Sequence, residues 1–414
     1  MADGAFQPRW GQPLTGIISF VVFTAIAWVT WFLFSDPRGP VGWFPYPFVM
    51  YLAMMILVGI WQHMLLADWP FVNIKQPLRG IIMTVVNLVL VWFVIDVLFY
   101  RFLGLGMNIL SYYGLEAANL AGKLPKLAAP GATGLLAQVA VVCFVLIGFY
   151  TYSLSTIFFG KWPSMPSNLT QPAKGLLEIG WGTTLTILAY TVLILPFFGV
   201  LFPGAALNSS WWATIGGTPH VHWVFGWYEW AIVLLFMTAN VWRMKPWSLI
   251  ALPQPWKGLL STVLSFVAAY LIALLCLKLI PLWVPADTFH HLEAAKGASE
   301  VQRFLWLHSA EIAGFTLIPF LIWHHYFDDL APGDVDGWGS FFFRTIGVLL
   351  FAAVLYWIFY YGNFGHWALG NHHMGELSER FSHGESLVWN FWWIIPLLWN
   401  EWFFHKWPFY VHKD

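Results

Sequence analysis

Ten stretches of this 414-residue chain are apolar over about 20 residues, broken only by isolated polar groups. A helix needs that length to cross roughly 30 Å of hydrocarbon at ~1.5 Å per residue. Runs such as Gly80 to Phe99 lack the period-two alternation of a membrane β-barrel strand. The expected fold class is therefore all-α: a polytopic integral membrane protein of about ten transmembrane helices. Taking Pro, Gly and charge as punctuation, the helices fall near 14–34, 47–67, 77–101, 136–159, 173–200, 222–244, 256–280, 302–326, 339–361 and 384–405. Composition agrees, with 59% hydrophobic and 9% charged residues, against ~25% charged in a soluble chain. The partner of this surface is the lipid bilayer.

Residues 1–414 read as a single transmembrane domain, with 104–134, rich in Gly, Ala and Pro, as an extramembrane loop. The first apolar run, Leu14 to Phe34, exceeds a signal-peptide core and ends in Ser35-Asp36-Pro37-Arg38, so it reads as a retained helix. A net charge of −1 with scattered basic residues excludes nucleic acid as a partner. Cys143 and Cys276 lie inside apolar runs and form no C-x-x-C pair, so neither a disulfide framework nor a thiolate cage is expected.

The punctuation repeats. Trp69-Pro70 precedes Gln76-Pro77-Leu78-Arg79-Gly80, Trp162-Pro163 precedes Gln171-Pro172-Ala173-Lys174-Gly175, and Pro246-Trp247 precedes Gln254-Pro255-Trp256-Lys257-Gly258. Gln12-Pro13-Leu14-Thr15-Gly16 opens the series and Lys406-Trp407-Pro408 closes it, while Asp328 to Gly339 has become acidic. Pro suits the first turn of a helix and Trp the headgroup boundary. The spacing predicts five helix-hairpin repeats in one orientation, with the fourth-to-fifth junction divergent.

Such an array puts every Gln-Pro turn on one side of the membrane. Eleven of the 19 Lys and Arg fall there, which by the positive-inside rule places that side and both termini in the cytoplasm of a bacterial-type inner (plasma) membrane. Histidine has the opposite bias: His220, His222, His290, His291, His308, His366, His372, His373 and His383 gather near the other side, among Glu293, Glu300, Glu311, Glu376, Glu379 and Glu385.

Polar groups inside the helices are the sharper signal, because a carboxylate or imidazole in hydrocarbon costs several kcal/mol without a partner or a wet cavity. Glu229 lies 16 residues before Lys245, Glu311 lies 17 before Asp328, and Asn390 lies 16 before Lys406. Three successive hairpins thus carry a polar group at matching depth. His308 and Glu311 share a helix face at a spacing of three, while His222 with Glu229 and His383 with Asn390 are each seven apart.

The leading expectation is a transition-metal site (Fe, Cu or Zn) near the non-cytoplasmic face, with His222, Glu229, His308, Glu311 and His383 as ligands. Glu385 would then be the catalytic proton carrier of a metal-dependent membrane oxidoreductase. The competing structural reading is that these groups hydrogen-bond the bundle together.

Two other functions stay open. A proton- or ion-coupled secondary transporter of a small solute would use the same groups to bind its small-molecule or ion substrate, with Pro196, Pro319 and Pro396 flexing helices. A haem-binding or structural subunit would use His pairs for haem. The Trp-rich faces around Trp211, Trp212, Trp223, Trp227, Trp230, Trp389, Trp392 and Trp393 would then meet partner subunits, enclose a cofactor, or face lipid headgroups. Adjacent histidines on a helix point ~100° apart, so His324-His325 reads as a solvated helix end, and His372-His373 as a loop pair able to reach a site. Asp96, deep in the third helix, is expected to snorkel toward the headgroups with Arg101.

Overall fold

A computed structural model describes residues 6–36, 38–41, 48–102, 130–165, 167–194, 221–369 and 385–412. Apart from a two-stranded ribbon, its regular structure is helical. Strand β1 (Phe6–Pro8) leads into α1 (Leu14–Phe34), followed by α2 (Phe48–Gly59), which continues as wide π turns over Ile60–Leu65. Helix α3 (Leu78–Trp92) likewise continues over Phe93–Phe102. Then come α4 (Pro130–Ile157), α5 (Ala173–Leu193), α6 (His222–Ala239) and α7 (Trp256–Leu279). The chain ends with α8 (Ala286–Lys296), α9 (Ala298–Tyr326), α10 (Trp338–Tyr360), α11 (Phe364–Leu369), α12 (Glu385–Trp402) and β2 (Tyr410–His412).

Each of the ten segments expected from the sequence contains a helix, and among the described residues six helices are long and apolar enough to cross a membrane: Leu14–Phe34, Leu78–Phe102, Ala173–Leu193, Trp256–Leu282, Ala298–Tyr326 and Trp338–Tyr360. That composition fits an integral membrane protein. Most of the segment 104–134 lies outside the described residues, but its last residues already belong to α4, because Pro130 opens a helix there.

Helices α2, α4, α6, α9 and α12 pack side by side in that order, and α12 closes back on α2. Around this inner ring stand α1, α3, α5, α7 and α10. Helix α1 lies against α9 and α12, α3 against α12 and α2, α5 against α2 and α4, α7 against α6 and α9, and α10 against α9. The outer helices bury one narrow stripe, such as Gly16, Ser19, Phe23, Ala27 and Trp31 on α1 or Gly258, Ser261, Ser265, Ala269 and Ala273 on α7. Their other faces expose Ile17, Val21, Val263, Val267 and Leu271, side chains suited to lipid. Helix α9 is the reverse, buried over most of its length.

The Gln-Pro motif has a mechanical explanation. Every helix end leaves backbone donors or acceptors without intrahelical partners. Gln76, Gln171 and Gln254 each serve two such ends at once. Their Nε2 atoms donate to the carbonyls of Phe403 (2.7 Å), Leu65 (2.9 Å) and Phe158 (2.8 Å), which close inner helices. Their Oε1 atoms accept from the N–H groups of Gly80, Gly175 and Gly258 in the first turns of outer helices, at 3.3, 3.1 and 3.1 Å. Gln12 makes the corresponding donation to Tyr326 at 2.7 Å and also reaches Asp328. The glycine is needed for close approach: a Cβ there would stand 2.6 Å from the Phe327 ring at Gly16, 2.4 Å from Phe404 at Gly80, 2.7 Å from Leu66 at Gly175 and 2.6 Å from Phe159 at Gly258.

The inner helices end alike. Two consecutive residues turn left-handed at Ala67-Asp68, Gly160-Lys161, Arg243-Met244, Asp328-Asp329 and His405-Lys406. The second N–H of each pair returns six residues, to the carbonyls of Gln62, Ser155, Thr238, Trp323 and Asn400. At the α6 end no Gln is present. There Trp242 donates to Thr345 Oγ1 (2.8 Å), and Arg243 pairs with Asp329 (3.3 Å) and Asp336 (3.2 Å), so ion pairs replace the amide clamp. Strands β1 and β2 pair antiparallel, which brings the two ends of the described chain together.

Candidate functional site

A cavity lies on the axis of the inner ring, and all five inner helices line it. Ile60 from α2, Phe149 from α4, Phe236 from α6, Leu317 from α9 and Phe391 from α12 make its walls apolar. It comprises about 610 Å³ of space free of atoms, its open part included. Along α12 the lining runs from Leu387 to Trp402, about 22 Å at ~1.5 Å per residue.

Two polar side chains line it among the described residues: Glu229 from α6 and Asn390 from α12. Glu229 is 7% exposed, and its carboxylate forms no hydrogen bond or ion pair among the described residues. Asn390 is 2% exposed, and both Oδ1 and Nδ2 lack partners among the described residues. Gly314 of α9 makes room for this amide, since a Cβ there would stand 2.8 Å from Asn390 Nδ2. A buried polar group without a partner costs about 1–3 kcal/mol, more when charged, so groups of this kind call for water or a ligand to complete their bonding.

Of the matching depths read from the sequence, those of Glu229 and Asn390 meet at this cavity, while that of Glu311 does not. Glu311 is fully buried and points away, toward His308, whose Nδ1 stands 2.6 Å from Glu311 Oε2. His308 Nε2 is 2.6 Å from the Tyr356 hydroxyl of α10, and Trp283 Nε1 donates to the same oxygen at 3.0 Å. Both imidazole nitrogens are thus engaged, and a metal would have to displace one of these bonds. His222 stands at the first turn of α6 with its ring near Phe225. His383 and the side chain of Glu385 lie outside the described residues, as do Pro196, His220, Trp211, Trp212, His372, His373, Glu376 and Glu379. Among the described residues no three His, Cys, Asp or Glu side chains gather as a metal would require.

Several tryptophans for which the sequence left headgroup contact open are internal instead. Trp223 and Trp389 are fully buried, and Trp230, Trp392 and Trp393 nearly so. The last three donate to Ser309, Ser35 and Thr24, tying helices together. Asp96 is buried and accepts a hydrogen bond from Tyr51 at 2.8 Å. Pro319 and Pro396 do fall within helices, α9 and α12.

Beyond the Trp402 end of the cavity lies a belt of charge. Trp402 stacks on His63, which bonds Asp68 at 2.9 Å; Asp68 also pairs with Arg79 and with His405. Burial works to raise the Asp68 carboxyl, but hydrogen bonds from His405 and His63 and the charges of His63 and Arg79 hold it down at about 2. His324 meets Asp329 at 2.9 Å, and Glu401 draws in His325 at 3.4 Å and Lys406 at 3.6 Å. His325 therefore links the ends of α9 and α12, while His324 binds the turn that closes its own helix.

Spacing pointed to Asn390 as a polar group but gave no ground for making it a site residue. Gly314 and Tyr356 carried no signal, because one is a small residue in an apolar run and the other one of many aromatics. No protein-family model matches the chain, and no curated protein or solved structure matches it.

Proposed function

We propose that the chain is a membrane transport protein, with its solute path along the axis of the inner ring and Glu229 and Asn390 as the polar groups of the binding site. The observation that carries this reading is that Glu229 and Asn390, neither with a partner among the described residues, share one cavity lined by all five inner helices. Isolated carboxylates in membrane interiors face water-filled paths or ligands and are functional by default. Binding sites between helices near mid-depth are a recurrent feature of transporters.

In this reading all ten helices span the bilayer as five hairpins. The inner helices tolerate polar groups because the outer ones shield them from lipid. The Gln-Pro ends, with their Lys, Arg and both termini, face the cytoplasm by the positive-inside rule, and the membrane is a bacterial-type plasma membrane. The belt around His63 and Glu401 then forms the cytoplasmic mouth.

Pyranine-loaded proteoliposomes under an imposed pH gradient test the reading. The wild type is expected to move protons or a co-supplied solute at a rate that Glu229→Gln or the cavity-filling Leu317→Trp reduces at least tenfold. Equal flux in wild type, both variants and empty liposomes would overturn it. The metal-dependent oxidoreductase reading is separated by the metal content of the same preparations.

A further inference from the structure

We infer that the axial cavity binds an organic monocation, an alkyl- or arylalkylammonium with an apolar body. The inference rests on the transport reading above and narrows its substrate class. Each alternative ligand meets an obstacle in the lining.

A bare metal ion needs about four to eight N, O or S donors, and the described lining offers one carboxylate and one amide oxygen. A sugar-like solute carries many hydroxyls, each costly to bury without a partner, and the same two side chains cannot serve them all. An anion would meet the Glu229 carboxylate with no basic residue in the described lining.

An ammonium group on a carbon skeleton fits each feature at once. Its single charge balances Glu229, where an unpartnered carboxylate is expensive to keep buried. Its N–H groups reach acceptors in Glu229 and in Asn390 Oδ1, which accepts from no donor among the described residues. Its apolar body lies on Ile60 and Leu317, and Phe149, Phe236 and Phe391 line the same space, an aromatic lining of the kind that attracts cations. Gly314 leaves the room that the Asn390 amide occupies beside the cavity.

The test uses full-length protein in nanodiscs and titrates phenethylammonium against phenethyl alcohol, its neutral counterpart with the same aryl body, by calorimetry. Wild type is expected to bind the ammonium saturably and the alcohol at least tenfold more weakly. Glu229→Gln should weaken ammonium binding at least tenfold, and Leu317→Trp, which keeps the carboxylate but fills the cavity, should abolish it. Gel filtration of each variant establishes that it is folded.

If the alcohol binds as tightly as the ammonium, and Glu229→Gln changes nothing while Leu317→Trp abolishes both, the monocation inference falls and the axial site stands. If neither ligand binds but pyranine flux still depends on Glu229, the inference again falls, leaving the proton as the transported ion. Absence of both binding and flux would remove the transport reading as well.

Discussion

The side-chain amide of Gln171 donates to the carbonyl of Leu65 at 2.9 Å, joining residues 106 apart in sequence. The same side chain accepts from Gly175 N–H, so one amide terminates an inner helix and starts an outer one. Gln171→Leu would remove the partner of both backbone groups, which are part-buried, at a cost of up to about 1–3 kcal/mol for each. Reversible unfolding in mixed micelles should show Gln171→Leu destabilised and Gln171→Glu intermediate, since a carboxyl keeps the acceptor but loses the N–H donor. Unchanged stability in Gln171→Leu would deny the clamp its role.

Asn390 differs, because its polarity has no structural use among the described residues. Replacing an unpaired buried amide by an apolar side chain of similar shape is nearly neutral or stabilising. Asn390→Leu should therefore unfold no more easily than wild type, and by up to about 1 kcal/mol less easily. Flux through proteoliposomes should fall in the same variant. Lost stability with unchanged flux would mark Asn390 as a structural residue.

Asp68 sets an acid limit. Its carboxyl is held at about 2 against an ordinary 3.8, a depressed value, so the stability it confers is fully present above pH ~4 and lost as pH falls through about 2. The difference corresponds to roughly 2 kcal/mol at neutral pH. Asp68→Asn should lose that amount at pH 7 and flatten the acid limb of stability against pH. An unaltered acid limb would show that the His63, Arg79 and His405 contacts contribute nothing.

His308 should behave as a link between α9 and α10. Tyr356→Phe removes the hydroxyl at Nε2, and a lost buried hydrogen bond of this kind costs about 1–3 kcal/mol. Elemental analysis of untagged protein should find the same metal content in wild type and in a His308→Ala, Glu311→Ala double variant. Stoichiometric iron, copper or zinc lost in the double variant would restore the metal-centred reading.

How far the sequence carried differs between fold and site. Runs of apolar residues marked the helices, because a spanning helix must satisfy its own backbone and clothe it in apolar side chains. Gln-Pro and Trp-Pro marked their ends, because helix termini have local needs that local residues meet. The Gln-Pro-x-x-Gly spacing was visible, yet its partners, Leu65, Phe158, Tyr326 and Phe403, were not, since each lies on another helix at a distance no local rule encodes.

Helix order around the ring was equally hidden. Apolar residues surround most of these helices, and lipid is as apolar as a protein interior, so hydropathy does not tell an inner face from an outer one. Depth, counted from the charged ends, placed Glu229, Glu311 and Asn390 at one level. Only the closed ring decided that Glu229 and Asn390 face a shared cavity while Glu311 turns to His308 and Tyr356, because rotation about a helix axis is set by what each neighbour can pack against.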